Sequence, residues 1–234
     1  MIVLSVDTST LVGSVAVTKK EKVLAEYILQ VAHTHAQHVL VLIERILADC
    51  GISFEAVDAL AVTVGPGSFT GLRIGMATVK GLAYATEKPV LGIPTLLALA
   101  QNLPFLPYPI CPMLDAKKKE VYCGIYRDSG DGMPRAEWED CAIAPHQLIA
   151  HIREKTLFLG DGTVVYRDFL EKALGAKALF APEGSHFPRA SNVGRLAYGR
   201  LKEGNVDHVF TLTPRYLRRS EAEIAQEERE RFVD

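Results

Sequence analysis

Carboxylate and hydroxyl side chains cluster directly after an apolar segment at the start of the chain. Residues 2–6 read IVLSV, and Asp7, Thr8, Ser9 and Thr10 follow them. A carboxylate can hold magnesium through water, and hydroxyl and amide groups can cradle a phosphate. The same residue types are common turn formers, so a simple turn between two strands explains them equally well. An anion-binding hairpin and a structural turn both stay open.

A glycine turn between a predicted strand and a predicted helix is the second candidate for chemistry. The apolar residues 59–64 predict a buried strand that ends at Gly65 and Gly67, on either side of a proline. Ser68 is the predicted N-cap of a helix that runs to Thr86. Amides at such a helix start can bind an anion, although a tight turn followed by a packing helix is the simpler explanation.

The second half of the chain repeats this order of features. Residues 110–114 predict a strand that ends at Asp115, and lysines 117–119 and a further strand follow it. A later strand ends at a second glycine turn, formed by Gly160 and Gly162. The repeat indicates a duplicated unit of strand, aspartate and hairpin. The lysines form either a solvated turn or a phosphate contact beside a cleft.

The predicted helix after Gly67 carries two glycines on one face. Gly71 and Gly75 are four residues apart, and an apolar stripe lies beside them. Each glycine costs about 1 kcal/mol relative to alanine inside a helix, so a close neighbour is expected to compensate. That neighbour is either the chain's own sheet or a helix of a partner protein.

Three histidines precede another predicted helix. His33, His35 and His38 do not share the helical face of a zinc-binding pair, so a metal site is not expected there. Thr34 is instead the predicted N-cap, and Gln37 closes a capping box. The role of the histidines stays open between partner contacts and exposed polar residues.

Composition sets limits on the function. The chain has 234 residues, of which 48% are hydrophobic and 23% charged, with a net charge of −2. No general basic field attracts nucleic acid, and no apolar run approaches the roughly 20 residues of a membrane span. The four cysteines form no CxxC pair, and no secretory signal is visible, so we expect a reduced, cytoplasmic chain.

The segment GPGSFTGLRIG at residues 65–75, with KGLA at 80–83, resembles TsaB (YeaZ), a family of bacterial tRNA threonylcarbamoyladenosine biosynthesis proteins. TPRYLR at residues 213–218 is similar to the closing segment of that family. The wider group is the ASKHA superfamily, which includes sugar kinases, Hsp70 and actin. The resemblance implies an α/β fold of two lobes, each with a mixed sheet flanked by helices. The predicted lobes are residues 1–104 and 105–234, with the last helix returning to the first lobe.

The resemblance also implies a function in tRNA modification. TsaB-like proteins pair with their paralogue TsaD and, with the ATPase TsaE, support transfer of a threonylcarbamoyl group to the adenosine next to the tRNA anticodon. This implies a non-catalytic platform that forms a heterodimer with TsaD, forms a homodimer when TsaD is absent, and meets tRNA only in the complex. TsaD carries a metal-binding HxxxH where this chain has Thr95 and Leu99. Neither a metal site nor metallopeptidase activity is therefore expected.

The expected interface and the expected cleft consist of two sets of residues. The predicted partner interface comprises Ala36, Val39, Leu40, Ile43, Leu47, Gly71, Leu72, Gly75, Met76, Val79 and Leu82. A bulky charge in this interface, for example at position 75 or 76, is expected to abolish pairing while the chain stays folded. The candidate cleft for ATP or ADP with magnesium comprises Asp7, Thr8, Ser9, Thr10, Gly65, Gly67, Asp115, Gly160 and Gly162. The alternative function is a kinase-like or ATPase-like ASKHA enzyme that uses Asp7 and Asp115.

Overall fold

A computed structural model describes residues 1–30 and 35–218 of the chain. The expected cap Thr34, the histidine His33 and the charged tail after Arg218 lie outside the described residues. The strands are β1 (Ile2–Asp7), β2 (Val12–Lys19), β3 (Lys22–Gln30), β4 (Ala59–Gly65), β5 (Val90–Pro94), β6 (Ile110–Lys117), β7 (Glu120–Asp128), β8 (Pro134–Ile143), β9 (Thr156–Leu159) and β10 (Ala178–Phe180). The α-helices are α1 (His35–Cys50), α2 (Phe69–Thr86), α3 (Thr95–Ala100), α4 (Pro145–Leu148), α5 (Asp161–Leu174) and α6 (Ala190–Lys202).

The two halves of the chain form sheets of the same topology. The first sheet has the order β3-β2-β1-β4-β5, and the second has the order β8-β7-β6-β9-β10. In the first sheet β1 pairs antiparallel with β2 and parallel with β4. In the second sheet β6 likewise pairs antiparallel with β7 and parallel with β9. This confirms the predicted duplicated unit and the α/β fold with two mixed sheets flanked by helices.

The first sheet is covered by helices on both faces. Leu4 and Val6 of β1 pack in one core cluster with residues of α1 and α2. Val3, which precedes Leu4 and points to the opposite face, packs with residues of α3 and α6. Side chains alternate between the two faces of a strand, so a sheet buried on both sides gives the continuous apolar runs seen in β1 and β4.

The second sheet is covered in the same way. Leu96 and Leu99 of α3 pack with Ile110 and Leu114 on one face of β6. On the other face, Met113 packs in a cluster that includes residues of α4 and α5. The short α3 is therefore shared, because α3 residues also belong to the apolar cluster of the first sheet.

The last described helix begins earlier than its sequence suggests. Ser191 and Asn192 are residue types that commonly cap a helix and predict a start there, but α6 starts at Ala190 and both residues lie in its first turn. The Ala190 amide donates to the Ser14 hydroxyl at 2.9 Å, and the Ser191 amide donates to a Glu26 carboxylate oxygen at 2.9 Å. Side chains of β2 and β3 thus satisfy amides that a local cap would otherwise serve.

The edge of β5 is covered by Arg200 of α6 and by Asp207 in the segment after α6. The Gly92 amide donates to Asp207 Oδ2 at 2.7 Å, and Arg200 donates to the Gly92 carbonyl oxygen at 2.8 Å. The Asp207 amide also donates to the Val90 carbonyl oxygen. Covering an edge strand in this way blocks unwanted pairing with another chain. In the described part of the chain, no helix is long and apolar enough to cross a bilayer.

Candidate functional site

Asp7 stands at the end of β1 and is completely buried. Its Oδ1 accepts hydrogen bonds from the Ser9 hydroxyl at 2.6 Å, the Thr63 hydroxyl at 2.7 Å and the Ser9 amide at 3.2 Å. Its Oδ2 has no partner among the described residues. Burial raises the pKa of Asp7 to about 6, and the hydrogen bonds from Ser9 and Thr63 oppose that rise. The carboxylate is therefore enclosed, and the cavity of about 10 Å³ that adjoins it is too small for a nucleotide.

The first glycine turn is occupied by the chain itself. Ser68 caps α2 as predicted, since its hydroxyl accepts from the Gly71 amide at 3.2 Å. The Ser68 amide, which could have met a phosphate, donates instead to the Ser9 carbonyl oxygen at 2.8 Å. A Cβ at Gly67 would collide with that same oxygen, and a Cβ at Gly65 would lie 2.6 Å from the Arg215 carbonyl oxygen. Close packing within the chain explains both glycines.

The second glycine turn is occupied in a similar way. The Gly160 amide donates to His186 Nδ1 at 2.9 Å. A Cβ at Gly160 would collide with the Met113 carbonyl oxygen, and a Cβ at Gly162 would lie 2.9 Å from the Leu114 carbonyl carbon. These glycines allow the start of α5 to approach β6, which is a packing role.

A cleft of about 330 Å³ lies between the lobes, where the ends of β1 and β6 meet. It is lined by Ser9, Thr10, Leu11, Gly67, Ser68 and Phe69 on one side and Leu114, Asp115, Ala116, Lys117, Tyr122, Asp161 and Arg218 on the other. Four of the predicted cleft residues are therefore brought together, namely Ser9, Thr10, Gly67 and Asp115. The other described candidates lie outside its lining, namely Asp7, Thr8, Gly65, Gly160 and Gly162.

The charged groups of the cleft contact one another. Lys117 Nζ donates to Asp115 Oδ2 at 2.7 Å, and this hydrogen bond raises the pKa of Lys117. The Asp115 amide donates to Asp161 Oδ1 at 2.9 Å, and burial raises the pKa of Asp161. Two carboxylates in a cleft disfavour a phosphate, whereas Lys117 and Arg218 of the same lining favour one. The amides of Ser68 and Gly160 already donate to groups of the chain itself, so they are not available to a phosphate.

The predicted partner interface is mostly interior, and this corrects the sequence-based hypothesis. The structure buries Val39, Ile43, Leu47, Gly71, Leu72, Gly75, Met76 and Val79 within the first lobe. Leu40 is 53% exposed, Leu82 is half-buried, and the side chain of Ala36 lies outside the described residues. The apolar periodicity identified the helix faces that meet the sheet, because core burial imposes the same spacing as a helix interface. A charge at Gly75 would therefore disturb the fold itself.

The outward faces of α1 and α2 carry one residue of the predicted interface, Leu40, and others that it did not include. On α1, Val41 beside Leu40 is 60% exposed. On α2, Ala77 and Gly81 are exposed, and Tyr84 is 65% exposed. The sequence offered one signal for Gly81, namely a glycine inside a predicted helix. Whether this glycine faces the core or the solvent depends on the position of the sheet, which the local sequence does not give.

A C-terminal strap, residues 212–218, joins the two lobes and was not predicted as a functional element. The Arg215 amide donates to the Val64 carbonyl oxygen at 2.6 Å, and its guanidinium lies 3.4 Å from Asp140 Oδ2. The Tyr216 ring stacks on Phe69 of α2 with ring centroids 4.2 Å apart. The strap therefore links β4 and α2 of the first lobe to β8 of the second.

Residues that could bind a metal are not grouped in the part of the chain that the structure describes. There, no set of three or more histidine, cysteine or acidic side chains could hold an ion. Thr95 and Leu99, where the resemblance implies the HxxxH of TsaD, are fully buried. His38 is exposed near the start of α1.

The known proteins that are similar in sequence to this chain have names that agree with one another. The family model of TsaD, tRNA N6-adenosine threonylcarbamoyltransferase, matches residues 22–226. The tRNA threonylcarbamoyladenosine biosynthesis protein TsaB of Bacillus subtilis is 31% identical over 226 residues, which cover 95% of this chain and 96% of that protein. TsaB of Escherichia coli K12 is 31% identical over 228 residues, with the same coverage of 95% and 96%.

Solved structures support the same comparison. A Pseudomonas aeruginosa protein described as similar to peptidase YeaZ has a TM-score of 0.81 at 28% identity, covering 93% of this chain and 99% of that chain. The ROK hexokinase of Thermus thermophilus has a TM-score of 0.51 at 13% identity, covering 87% of this chain and 100% of that chain. The second likeness shows a shared fold alone.

Proposed function

The chain belongs to the TsaB family of tRNA threonylcarbamoyladenosine biosynthesis proteins, and from that premise we propose that it serves this pathway as a non-catalytic subunit. It pairs with a TsaD-type protein and activates it, and the partner performs the threonylcarbamoyl transfer to the adenosine next to the tRNA anticodon. A TsaE-type ATPase acts in the same complex. The net charge of −2 gives no general attraction to RNA, so tRNA is bound only by the cytoplasmic assembly.

The exposed face of α1 and α2 carries this proposal. Leu40 and Val41 on α1 and Tyr84 on α2 are each more than half exposed, at 53%, 60% and 65%. Helices α1 and α2 pack against each other on one side of the first sheet. Their outward sides therefore carry large exposed apolar side chains, and such side chains are typical of a surface that binds another protein.

Small residues on α2 suit the docking of a helix. Ala77, Gly81 and Ala85 are exposed and recur at a spacing of four residues. A Cβ at Gly81 would meet no described atom within 4 Å, so the chain's own packing does not require this glycine. Inside a helix a glycine costs about 1 kcal/mol relative to alanine. A partner helix that packs close to the α2 backbone at Gly81 would offset that cost, because a larger side chain there would hold the two helices apart. A second copy of the chain uses the same surface when the TsaD-type partner is absent.

The proposal that the chain is non-catalytic is supported by the contacts of the polar groups that an ATP-using enzyme would need. The Asp7 carboxylate is enclosed by Ser9 and Thr63, and Asp115 is paired with Lys117. The turn amides of Ser68 and Gly160 donate to groups of the same chain. The transfer chemistry therefore belongs to the partner.

The test is a Gly81→Arg variant with a matched control. Gly184 is also exposed, and a Cβ there would meet no described atom within 4 Å, so Gly184→Arg adds the same side chain away from the proposed surface. We expect Gly81→Arg to lose co-elution with the TsaD-type protein of the same organism and to lose tRNA threonylcarbamoylation in a reconstituted assay. Gly184→Arg should retain both, and both variants should keep the circular-dichroism spectrum of the wild type.

Two outcomes would overturn the proposal. Normal pairing and product formation by Gly81→Arg would show that this surface is not the interface. Product formed by the chain with tRNA and the threonylcarbamoyl donor in the absence of the TsaD-type protein would show that the chain is itself catalytic.

A further inference from the structure

Three of the four cysteines lie side by side in the second sheet. Cys111 is on β6, Cys123 on β7 and Cys141 on β8, and all three belong to the same apolar cluster beneath α4 and α5. The fourth, Cys50, is at the end of α1 in the first lobe. All four are free thiols. The strand pairing, which the cysteine spacing did not reveal, places the three thiols on one face.

The register singles out one pair. Cys123 and Cys141 are directly opposite each other in the antiparallel ladder of β7 and β8. Opposite residues have Cβ atoms about 4.5–5.5 Å apart, close to the roughly 3.5–4.5 Å of a disulfide. Cys111 is less favourably placed to form a disulfide with Cys123. In the β6–β7 ladder Cys123 is directly opposite Met113, so Cys111 is only a diagonal neighbour of Cys123.

The two opposed thiols have different environments. Contact with the Cys123 thiol lowers the pKa of Cys141, although burial and the nearby Asp140 act in the other direction. The same contact, with burial, raises the pKa of Cys123. Cys123 is fully buried, whereas Cys141 is only partly buried. A partly exposed thiol directly opposite a second thiol is the arrangement of a redox-reactive cysteine and its resolving partner.

We propose that Cys141 is a site of oxidation by hydroperoxides and that it forms a reversible disulfide with Cys123. The Cys141 thiolate attacks hydrogen peroxide, the O–O bond breaks, and Cys141 sulfenic acid and hydroxide form. The Cys123 sulfur then attacks the Cys141 sulfur, the S–O bond breaks, and the departing hydroxide leaves as water with the Cys123 proton. The two thiols supply the two electrons that reduce the peroxide, and a dithiol reductant reverses the bond.

The disulfide would act close to the strap between the lobes. Asp140, the residue before Cys141, lies 3.4 Å from the Arg215 guanidinium and accepts a 2.5 Å hydrogen bond from the Tyr126 hydroxyl. A covalent link between β7 and β8 would therefore fix the strand that anchors the strap. This inference is independent of the proposed role in tRNA modification.

The experiment is disulfide mapping of the wild-type full chain after treatment with hydrogen peroxide. Free thiols are blocked with a maleimide, and peptides are analysed by mass spectrometry with and without reduction. We expect a Cys123–Cys141 linked peptide that disappears on reduction, with Cys50 and Cys111 recovered as maleimide adducts. Because the mapping uses the wild-type chain, it does not depend on the folding of a variant.

Variants distinguish the roles of the two thiols. Cys50→Ser should form the link as the wild type does, and Cys141→Ser should not form it. Cys123→Ser keeps a hydrogen-bond donor beside Cys141 but removes the resolving thiol, so it should leave a Cys141 sulfenic acid that dimedone traps. The proposal is overturned by a link through Cys111, by direct oxidation of wild-type Cys141 to sulfinic acid without a link, or by recovery of both thiols unreacted.

Discussion

The Thr8 hydroxyl donates a 2.7 Å hydrogen bond to the carbonyl oxygen of Gly71, and this bond joins the turn after β1 to the first turn of α2. A Cβ at Gly71 would collide with the Thr8 carbonyl oxygen, and a Cβ at Gly75 would collide with the Thr8 hydroxyl. The glycine spacing left open whether the chain's own sheet or a partner's helix was the close neighbour. For these two glycines the neighbour belongs to the first lobe itself.

Alanine substitution should separate the packed glycine from the exposed one. We expect Gly71→Ala to lower the free energy of unfolding by about 1–3 kcal/mol, because the added Cβ displaces the Thr8 backbone. Gly81→Ala should raise it by up to about 1 kcal/mol, since its outward side is open and alanine favours the helix. Urea unfolding of the two variants measures both values. Equal effects at the two positions would contradict the packing described for α2.

Asp7 should give the stability of the chain a characteristic pH dependence. Its pKa is raised from 3.8 to about 6 in the folded state, so the folded chain binds more protons than the unfolded chain between these values. The stability contributed by this group therefore falls as the pH rises through that window, by on the order of 3 kcal/mol in total. Asp7→Asn keeps the Oδ1 acceptor and should remove this part of the slope. Urea unfolding across the same pH range tests it, and parallel curves for the two proteins would disprove the assignment.

The contact between Arg215 and Asp140 should contribute to the attachment of the strap. Asp140 is almost fully buried, whereas the Arg215 side chain is 43% exposed and 3.4 Å away. Burial raises the pKa of Asp140, and the Tyr126 hydrogen bond and Arg215 oppose that rise. We expect Arg215→Ala to cost about 1 kcal/mol of unfolding free energy, discounted for solvent screening. In an Asp140→Asn background the same substitution should cost less, and an unchanged cost in that double-mutant cycle would show that the two residues are not coupled.

Magnesium-ATP should not bind tightly to the isolated chain. The Ser68 amide donates to Ser9 and the Gly160 amide to His186, so the donors that a phosphate needs are engaged. Isothermal titration calorimetry with magnesium-ATP measures this directly. Micromolar binding that is lost in Asp115→Ala would contradict the expectation and favour the alternative of an ATP-using enzyme.

Much of the local structure followed from the sequence. The strand predicted at residues 59–64 is β4, and the helix predicted to run to Thr86 is α2, with Ser68 as its cap. Strand periodicity, glycine turns and capping residues are local signals, and a duplicated order of elements is visible along the chain. The resemblance in residues 65–75 indicated the family, and the relatives confirm it. The division at residue 104 and the ATP cleft stay predictions.

Only the tertiary structure decided which face of each helix is interior. The same apolar spacing in α1 and α2 serves a core or an interface, and the position of the first sheet assigned Val39 and Met76 to the core and left Val41 and Gly81 outside. Strand register, likewise, placed Cys123 opposite Cys141. The sequence by itself determined the elements, their duplicated order and the family, because those depend on neighbours along the chain. Burial, pairing and the filling of the glycine turns depend on residues distant in sequence, so they became visible only in the folded molecule.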